Sequence, residues 1–216
     1  MMFERVTMTL LEGFGQNAII FFVTLLAALP SGLILAFGSM SRFKPLRYLV
    51  KLFIWLIRGT PLMLQLFIVF YVPGLVFDVP FKSRMAAALI AFVINYAAYF
   101  SEIYRGAIEG IPKGQYEAGQ VLGLTKMQTF FHVILFQVIR RITAPIGNEV
   151  ITLIKDTAIA RVIAIPEMIM SAAEFTSKGI VWPFFYTGLF FLAATAAITY
   201  LFDKLERRLS FADRKG

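Results

Sequence analysis

The feature that most constrains this chain is a set of long runs that contain no charged residue. Glu12 and Arg42 bracket the first, Arg58 and Asp78 the second, Arg84 and Glu102 the third, and Lys178 and Asp203 the last. Their uncharged interiors hold roughly 29, 19, 17 and 24 residues, against the ~20 that an apolar helix needs to cross a bilayer. A soluble fold would leave much of this sequence on its surface as contiguous apolar patches, because 59% of the 216 residues are hydrophobic and only 16% charged. Within hydrocarbon each spanning segment must satisfy its own backbone polar groups, so the expected fold is an all-α, polytopic membrane protein. No cleavable leader is expected, since Glu4, Arg5 and Glu12 interrupt the first fifteen residues and no small-residue cleavage site follows a basic start.

Charge parity sets the topology. Arg42, Lys44, Arg47 and Lys51 follow the first run, and Arg105, Lys113, Lys126, Arg140 and Arg141 follow the third. Both clusters should be cytoplasmic, and so should the tail with Lys204, Arg207, Arg208, Arg214 and Lys215. The polar stretch between Arg141 and the last run must then also cross, despite Glu149, Lys155, Asp156 and Arg161. The reading is five spans, with the N-terminus outside and the C-terminus inside, and a fourth span whose ionisable residues mark function. The same positive-inside bias accounts for the net charge of +8 without nucleic acid, because the cations punctuate apolar runs and form no continuous stripe.

Two stretches break the pattern. In Arg58-Gly59-Thr60-Pro61 the glycine and the residue before proline disfavour continuous helix, while Thr60 as N-cap and Pro61 at the first helical position can restart one. The competing reading is a kinked but continuous helix with Arg58 reaching the cytoplasmic surface. The second stretch, residues 106–141, is far longer than an ordinary connection between helices. From Glu117 to Gly123 it can form two short helical turns, with Gly123 supplying a left-handed turn and Val121, Leu122 and Leu124 an apolar knob.

The segment Ile111-Pro112-Lys113-Gly114-Gln115-Tyr116-Glu117-Ala118-Gly119-Gln120-Val121-Leu122-Gly123-Leu124 resembles the EAA loop of bacterial ABC importer permeases. Gly119 stands where that family has its second Ala, and Phe136 stands where it usually has Pro in Ile-Leu-Pro-Gln. Arg58-Gly59-Thr60-Pro61-Leu62, Ser101-Glu102-Ile103-Tyr104-Arg105-Gly106 and Lys155-Asp156-Thr157 are similar, in that order, to the polar amino-acid subfamily, the permeases of histidine, glutamine and arginine importers. The resemblance covers nearly the whole chain. It implies a single transmembrane domain over residues 1–216, of the type I importer kind, in the bacterial cytoplasmic membrane. Glu117, Ala118, Gly119, Leu122 and Gly123 would dock on a cytoplasmic ATPase dimer, which would carry the ATP and Mg. A second permease chain, identical or homologous, and an extracytoplasmic amino-acid-binding protein would complete the complex in membrane lipid. Without the resemblance, residues 106–141 read first as an interfacial amphipathic segment with no protein partner.

The chain itself has little material for catalysis. It has no Cys, one His (His132) and no Gly-x-x-x-x-Gly-Lys-Ser/Thr, which excludes thiolate chemistry, most metal sites and nucleotide binding by a P-loop. The expectation is transport without enzymatic activity, the alternative being an ATP-independent channel or carrier. Substrate groups are ranked by depth. Entering the third span near Met85, Asn95 lies about 15 Å deep, near the midplane. Asn95, Tyr99 and Glu102 recur at i, i+4 and i+7 on one face, and Asn148, Thr152 and Asp156 form a second stripe at i, i+4 and i+8 in the fourth span. Two such stripes can face one cavity, in which Asn95, Asp156, Tyr99, Glu102 and Thr152 are the candidate contacts and Arg58-Gly59-Thr60-Pro61 a candidate gate. For Glu102 the i+3 spacing favours an ion pair with Arg105, and for Asp156 the competing reading is a pair with Lys155 or Arg161. Pro166-Glu167 is read as a turn at the outer surface, open to a gate or a binding protein.

Overall fold

The first apolar run belongs to a much longer helix than its bracketing charges mark. In the computed structural model, which describes residues 2–211, α1 (Met2–Ser39) has 38 residues and includes Glu12 and Pro30. Its length of about 57 Å exceeds the bilayer core. Ala28, Gly32 and Ala36 recur every fourth residue on its buried face. They let its backbone approach α4 (Arg84–Glu109), where a Cβ on Gly32 would stand 2.8 Å from the Phe100 Cβ and 3.0 Å from the Ala97 carbonyl. Small residues at this spacing are how helices pack where no hydrophobic effect drives them together.

Between these two helices the chain is broken. α2 (Lys44–Arg58) and α3 (Leu62–Phe77) meet at an angle of 105° across Gly59, Thr60 and Pro61, so the helix is interrupted and not merely kinked. The restart differs in detail from the sequence reading. Pro61, extended at ψ 137°, is itself the N-cap of α3, and the Thr60 hydroxyl donates back to the Leu56 carbonyl at 3.0 Å. With Thr60 held before a proline and Gly59 closing α2 on the Trp55 carbonyl, neither helix can run through.

The long segment 106–141 is mostly helical. α4 continues to Glu109, α5 (Lys113–Val121) follows Pro112, and Gly123 turns the chain at φ +70°. Thr125 and Gln128 then form a reciprocal capping box that opens α6 (Lys126–Thr129). A π-helical turn (Phe130–Ile134) joins α6 to α7 (Leu135–Asp156), and a 3-10 turn (Thr157–Ile163) extends α7. After Ala164, at φ +58°, come α8 (Met168–Ala173), a short 3-10 turn (Thr176–Lys178) and α9 (Trp182–Phe211). Among the described residues four helical stretches are long and apolar enough to cross a membrane, and five if α2 and α3 count as one broken span. The protein is thus an all-α, polytopic membrane protein. Its main core joins α1, α3, α4 and α7 around Phe92, Tyr96, Phe100 and Leu153, and a smaller cluster of Val6, Leu10, Met168 and Ala172 seats α8 on α1.

Candidate functional site

The helix break is held by one side chain. Gln65, in the first turn of α3, donates through Nε2 to the Ile57 carbonyl at 2.7 Å, the Thr60 hydroxyl at 2.9 Å and the Thr60 carbonyl at 3.1 Å. These bonds supply donors to carbonyls that the end of α2 leaves without intrahelical partners. The Gln65 Oε1 accepts from Asn95 Nδ2 of α4 at 3.0 Å. Asn95, expected near the midplane, is buried, with its amide engaged by Gln65, a residue the sequence reading passed over.

Arg58, the last residue of α2, is placed by this break beside α4. Its guanidinium lies over the Tyr99 ring, 5.2 Å from the centroid, and 3.5 Å from the Glu102 carboxylate. Glu102 accepts bidentately from Arg105, at 3.0 Å from Nε and 2.6 Å from Nη2, so the ion-pair reading of its spacing holds. Arg105 also donates to Glu109 at 2.6 Å. Arg58, Tyr99 and Glu102 line a cavity of about 530 Å³ together with Ile103, Gly106, Arg141, Pro145 and Glu149. Arg58 and Glu102 also line a smaller one of about 250 Å³ with Lys51 and Trp55. Arg141 donates to the Gly110 carbonyl, which ties the end of α4 to α7.

On α7 the polar residues differ in exposure. Asn148 and Thr152 are exposed, and the Thr152 hydroxyl donates to the Asn148 carbonyl at 3.0 Å. Glu149 and Asp156, seven residues apart and hence on one face, are half-buried. Glu149 reaches the larger cavity. Asp156 accepts from the Tyr96 hydroxyl of α4 at 2.8 Å, a partner the sequence reading did not consider. A signal existed, since a tyrosine at membrane depth needs an acceptor for its hydroxyl. The structure thus brings Arg58, Tyr99, Glu102 and Glu149 together, places Asp156 on Tyr96, and leaves Thr152 exposed and outside the cavity lining.

Glu167 does not lie open at an outer surface as its place after Pro166 suggests. It is 0% exposed and caps α8, accepting from the Met170 amide at 2.7 Å and the Ile169 amide at 2.9 Å. Burial pushes its carboxyl up from the usual glutamate range, opposed by those two donors and by Asn17.

At the other end of the bundle α5 exposes Val121 and Leu122, at 87% and 75%, beside exposed Glu117 and Ala118. Gly119 faces inward, so close to the Thr129 side chain of α6 that a Cβ would overlap its hydroxyl. The glycine in the second Ala position of the EAA-like segment is therefore what allows α5 to fold onto α6.

Comparison with known proteins agrees with this architecture. The family described as the binding-protein-dependent transport system inner membrane component matches residues 28–211. The L-cystine transport system permease protein TcyB of Bacillus subtilis (strain 168) is 44% identical over 152 residues, covering 68% of this chain and 62% of that protein, so the match spans less than two thirds of that relative's length. The arginine transport system permease protein ArtQ of the same organism is 33% identical over 207 residues, 94% of each chain. The crystal structure of an amino acid ABC transporter with histidines superposes with a TM-score of 0.87 at 28% identity, covering 95% of this chain and 96% of that one.

Proposed function

The chain belongs to the family of inner membrane components of binding-protein-dependent transport systems, and from that premise we propose that it is the permease subunit of an ATP-driven importer of a polar amino acid. It works in the bacterial cytoplasmic membrane, N-terminus outside and C-terminus inside, paired with an identical or related permease chain. A cytoplasmic ATPase dimer binds ATP and Mg and docks on α5 and the Gly123 turn, where Glu117, Ala118, Leu122 and Val121 are presented. An extracytoplasmic binding protein delivers the amino acid. This chain has no nucleotide-binding motif of its own and contributes the pathway.

The observation that carries this reading is the cavity of about 530 Å³ lined by two cations, Arg58 and Arg141, and two carboxylates, Glu102 and Glu149, of which Glu102 is engaged by Arg105 and Arg141 by the Gly110 carbonyl. A zwitterion crossing a bilayer must exchange its hydration for a donor and an acceptor set a short distance apart. Arg58 suits the α-carboxylate, and Glu149 and Asp156 suit the α-ammonium or a cationic side chain. Tyr99 supports Arg58 from below its plane. Asn95 acts through Gln65 by fixing the break, so that Gly59, Thr60 and Pro61 form the hinge that carries Arg58 toward or away from the cavity.

The test is uptake of radiolabelled L-arginine, L-glutamine and L-cystine into proteoliposomes holding the permease with its cognate ATPase, with the binding protein added outside. Uptake should require ATP. Glu149→Gln should raise the apparent KM about tenfold, as expected when a charged hydrogen bond is lost, and most for arginine. Uptake driven without ATP, or Glu149→Gln and Asp156→Asn variants with unchanged KM for all three amino acids, would overturn the reading.

A further inference from the structure

A buried polar network joins three segments that are remote in sequence. Asn17 of α1 donates through Nδ2 to the Thr157 hydroxyl at 2.9 Å and to the Glu167 carboxylate at 3.5 Å, while its Oδ1 accepts from the Met168 amide at 3.0 Å. The Thr157 hydroxyl in turn donates a hydrogen bond to the Ile154 carbonyl at 2.7 Å. All three side chains are 0% exposed. One turn earlier on α1, Gly13 lets α8 approach to backbone distance, since a Cβ there would stand 2.7 Å from the Ser171 Oγ and 2.8 Å from the Met168 Cα. Asn17 thus binds α8 by the amide of its first residue and by the carboxylate that caps it, and binds the end of α7 by Thr157.

Thr157 immediately follows Asp156. The junction of α7 with its 3-10 extension is therefore held from two sides, by Tyr96 of α4 on the Asp156 carboxylate and by Asn17 of α1 on the Thr157 hydroxyl. A helix that changes hydrogen-bond pattern at this point has a soft joint there, and a fully satisfied buried network removes that softness. The three network residues are fully buried and absent from the cavity lining, whereas Asp156 beside them is only half-buried.

We propose that Asn17, Thr157 and Glu167 form an internal strut between α8 and the end of α7, which positions Asp156 for solute recognition and makes its placement depend on the seating of α8. They are positioning residues. The inference rests on the reading that Asp156 faces the transported amino acid. A seated α8 gives a competent Asp156, and an unseated α8 lets the junction relax and weakens recognition, which links the loop between α7 and α9 to the binding step.

The experiment is a double-mutant cycle in the reconstituted complex, read as KM and Vmax for L-arginine uptake, with L-glutamine and L-cystine as parallel probes. Asn17→Leu removes both polar functions at nearly constant size and should raise KM about tenfold, with a smaller change in Vmax, the scale of one lost buried hydrogen bond. In an Asp156→Asn background it should raise KM no further, because both changes act through one carboxylate. Asn17→Asp should be as damaging, since it puts a second carboxylate beside Glu167, and adding Glu167→Gln should restore a donor and recover KM. If Asn17→Leu prevents assembly, Thr157→Val replaces it, since it deletes only the hydroxyl. Unchanged KM in Asp156→Asn removes the premise. A raised KM in Asp156→Asn with an unchanged or strictly additive effect of Asn17→Leu overturns the strut and leaves the premise standing.

Discussion

Replacing Gln65 by leucine deletes the clasp of the helix break while keeping nearly the same volume. The polar loss can be worked from the structure. The Asn95 amide, 5% exposed, loses its acceptor at 3.0 Å, and the Ile57 carbonyl loses its 2.7 Å donor. The Thr60 hydroxyl keeps the Leu56 carbonyl and contributes little. A buried group left unpaired costs about 1–3 kcal/mol; the Asn95 amide is left so, while the part-buried Ile57 carbonyl keeps the Thr60 hydroxyl at 3.4 Å, so Gln65→Leu should destabilise the protein by about 1–3 kcal/mol. That is a large share of the ~5–15 kcal/mol by which folded proteins exceed their unfolded states. Unfolding in mixed micelles of mild detergent and SDS, followed by the fluorescence of Trp55 and Trp182, measures it. The double variant Gln65→Leu with Asn95→Leu removes both partners of the interhelical bond and should be about 1 kcal/mol more stable than Gln65→Leu alone, because no buried amide is then left unpaired. A Gln65→Leu protein within ~0.5 kcal/mol of the parent, or a double variant whose cost equals the sum of the single ones, would refute the clasp.

Three further outcomes are expected. Gly119→Ala should abolish stimulation of the partner ATPase, since a Cβ there overlaps the Thr129 side chain and overpacking costs about 1–3 kcal/mol; Thr129→Ala added to it should restore stimulation, and a single Gly119→Ala variant with normal coupling would remove the packing argument. In a chain with no native cysteine, Lys113→Cys should react with an impermeant maleimide only in inverted vesicles and Lys82→Cys only in intact cells, and the opposite pattern would reverse the proposed orientation. Tyr96→Phe should raise the uptake KM without altering expression or assembly, because it removes the 2.8 Å donor from Asp156 and leaves the packed ring in place; unchanged KM would make that bond purely structural.

Much of this protein is written in local sequence. Uncharged runs near bilayer length predict the spanning helices, and Gly59-Thr60-Pro61 predicts an interruption through backbone sterics alone. The left-handed turn at Gly123, at φ +70°, was likewise legible, because glycine adopts it without the steric penalty of a Cβ. The ion pair of Glu102 with Arg105 followed from i+3 spacing on one helix. The angle of the break was not legible, because it depends on Gln65 reaching α2 and α4 at once. Nor was the start of α1 ten residues before Glu12, since a single glutamate within a helix long enough to extend past the bilayer core has no local cost that marks a boundary.

What the sequence determined by itself is whatever a helix decides over one or two turns: which segments are helical, where they stop, and which residues share a face. Only the tertiary structure decided which polar group meets which. Asn95 and Asp156 were both found at membrane depth by periodicity, yet one is consumed by Gln65 and the other is held by Tyr96. Asn17, Thr157 and Glu167, separated by up to 150 residues, meet with no exposure to solvent. The reason is that a buried polar side chain is costly unless it is hydrogen-bonded, and local spacing lists the candidates within a helix but carries no information on the neighbour that packing will bring.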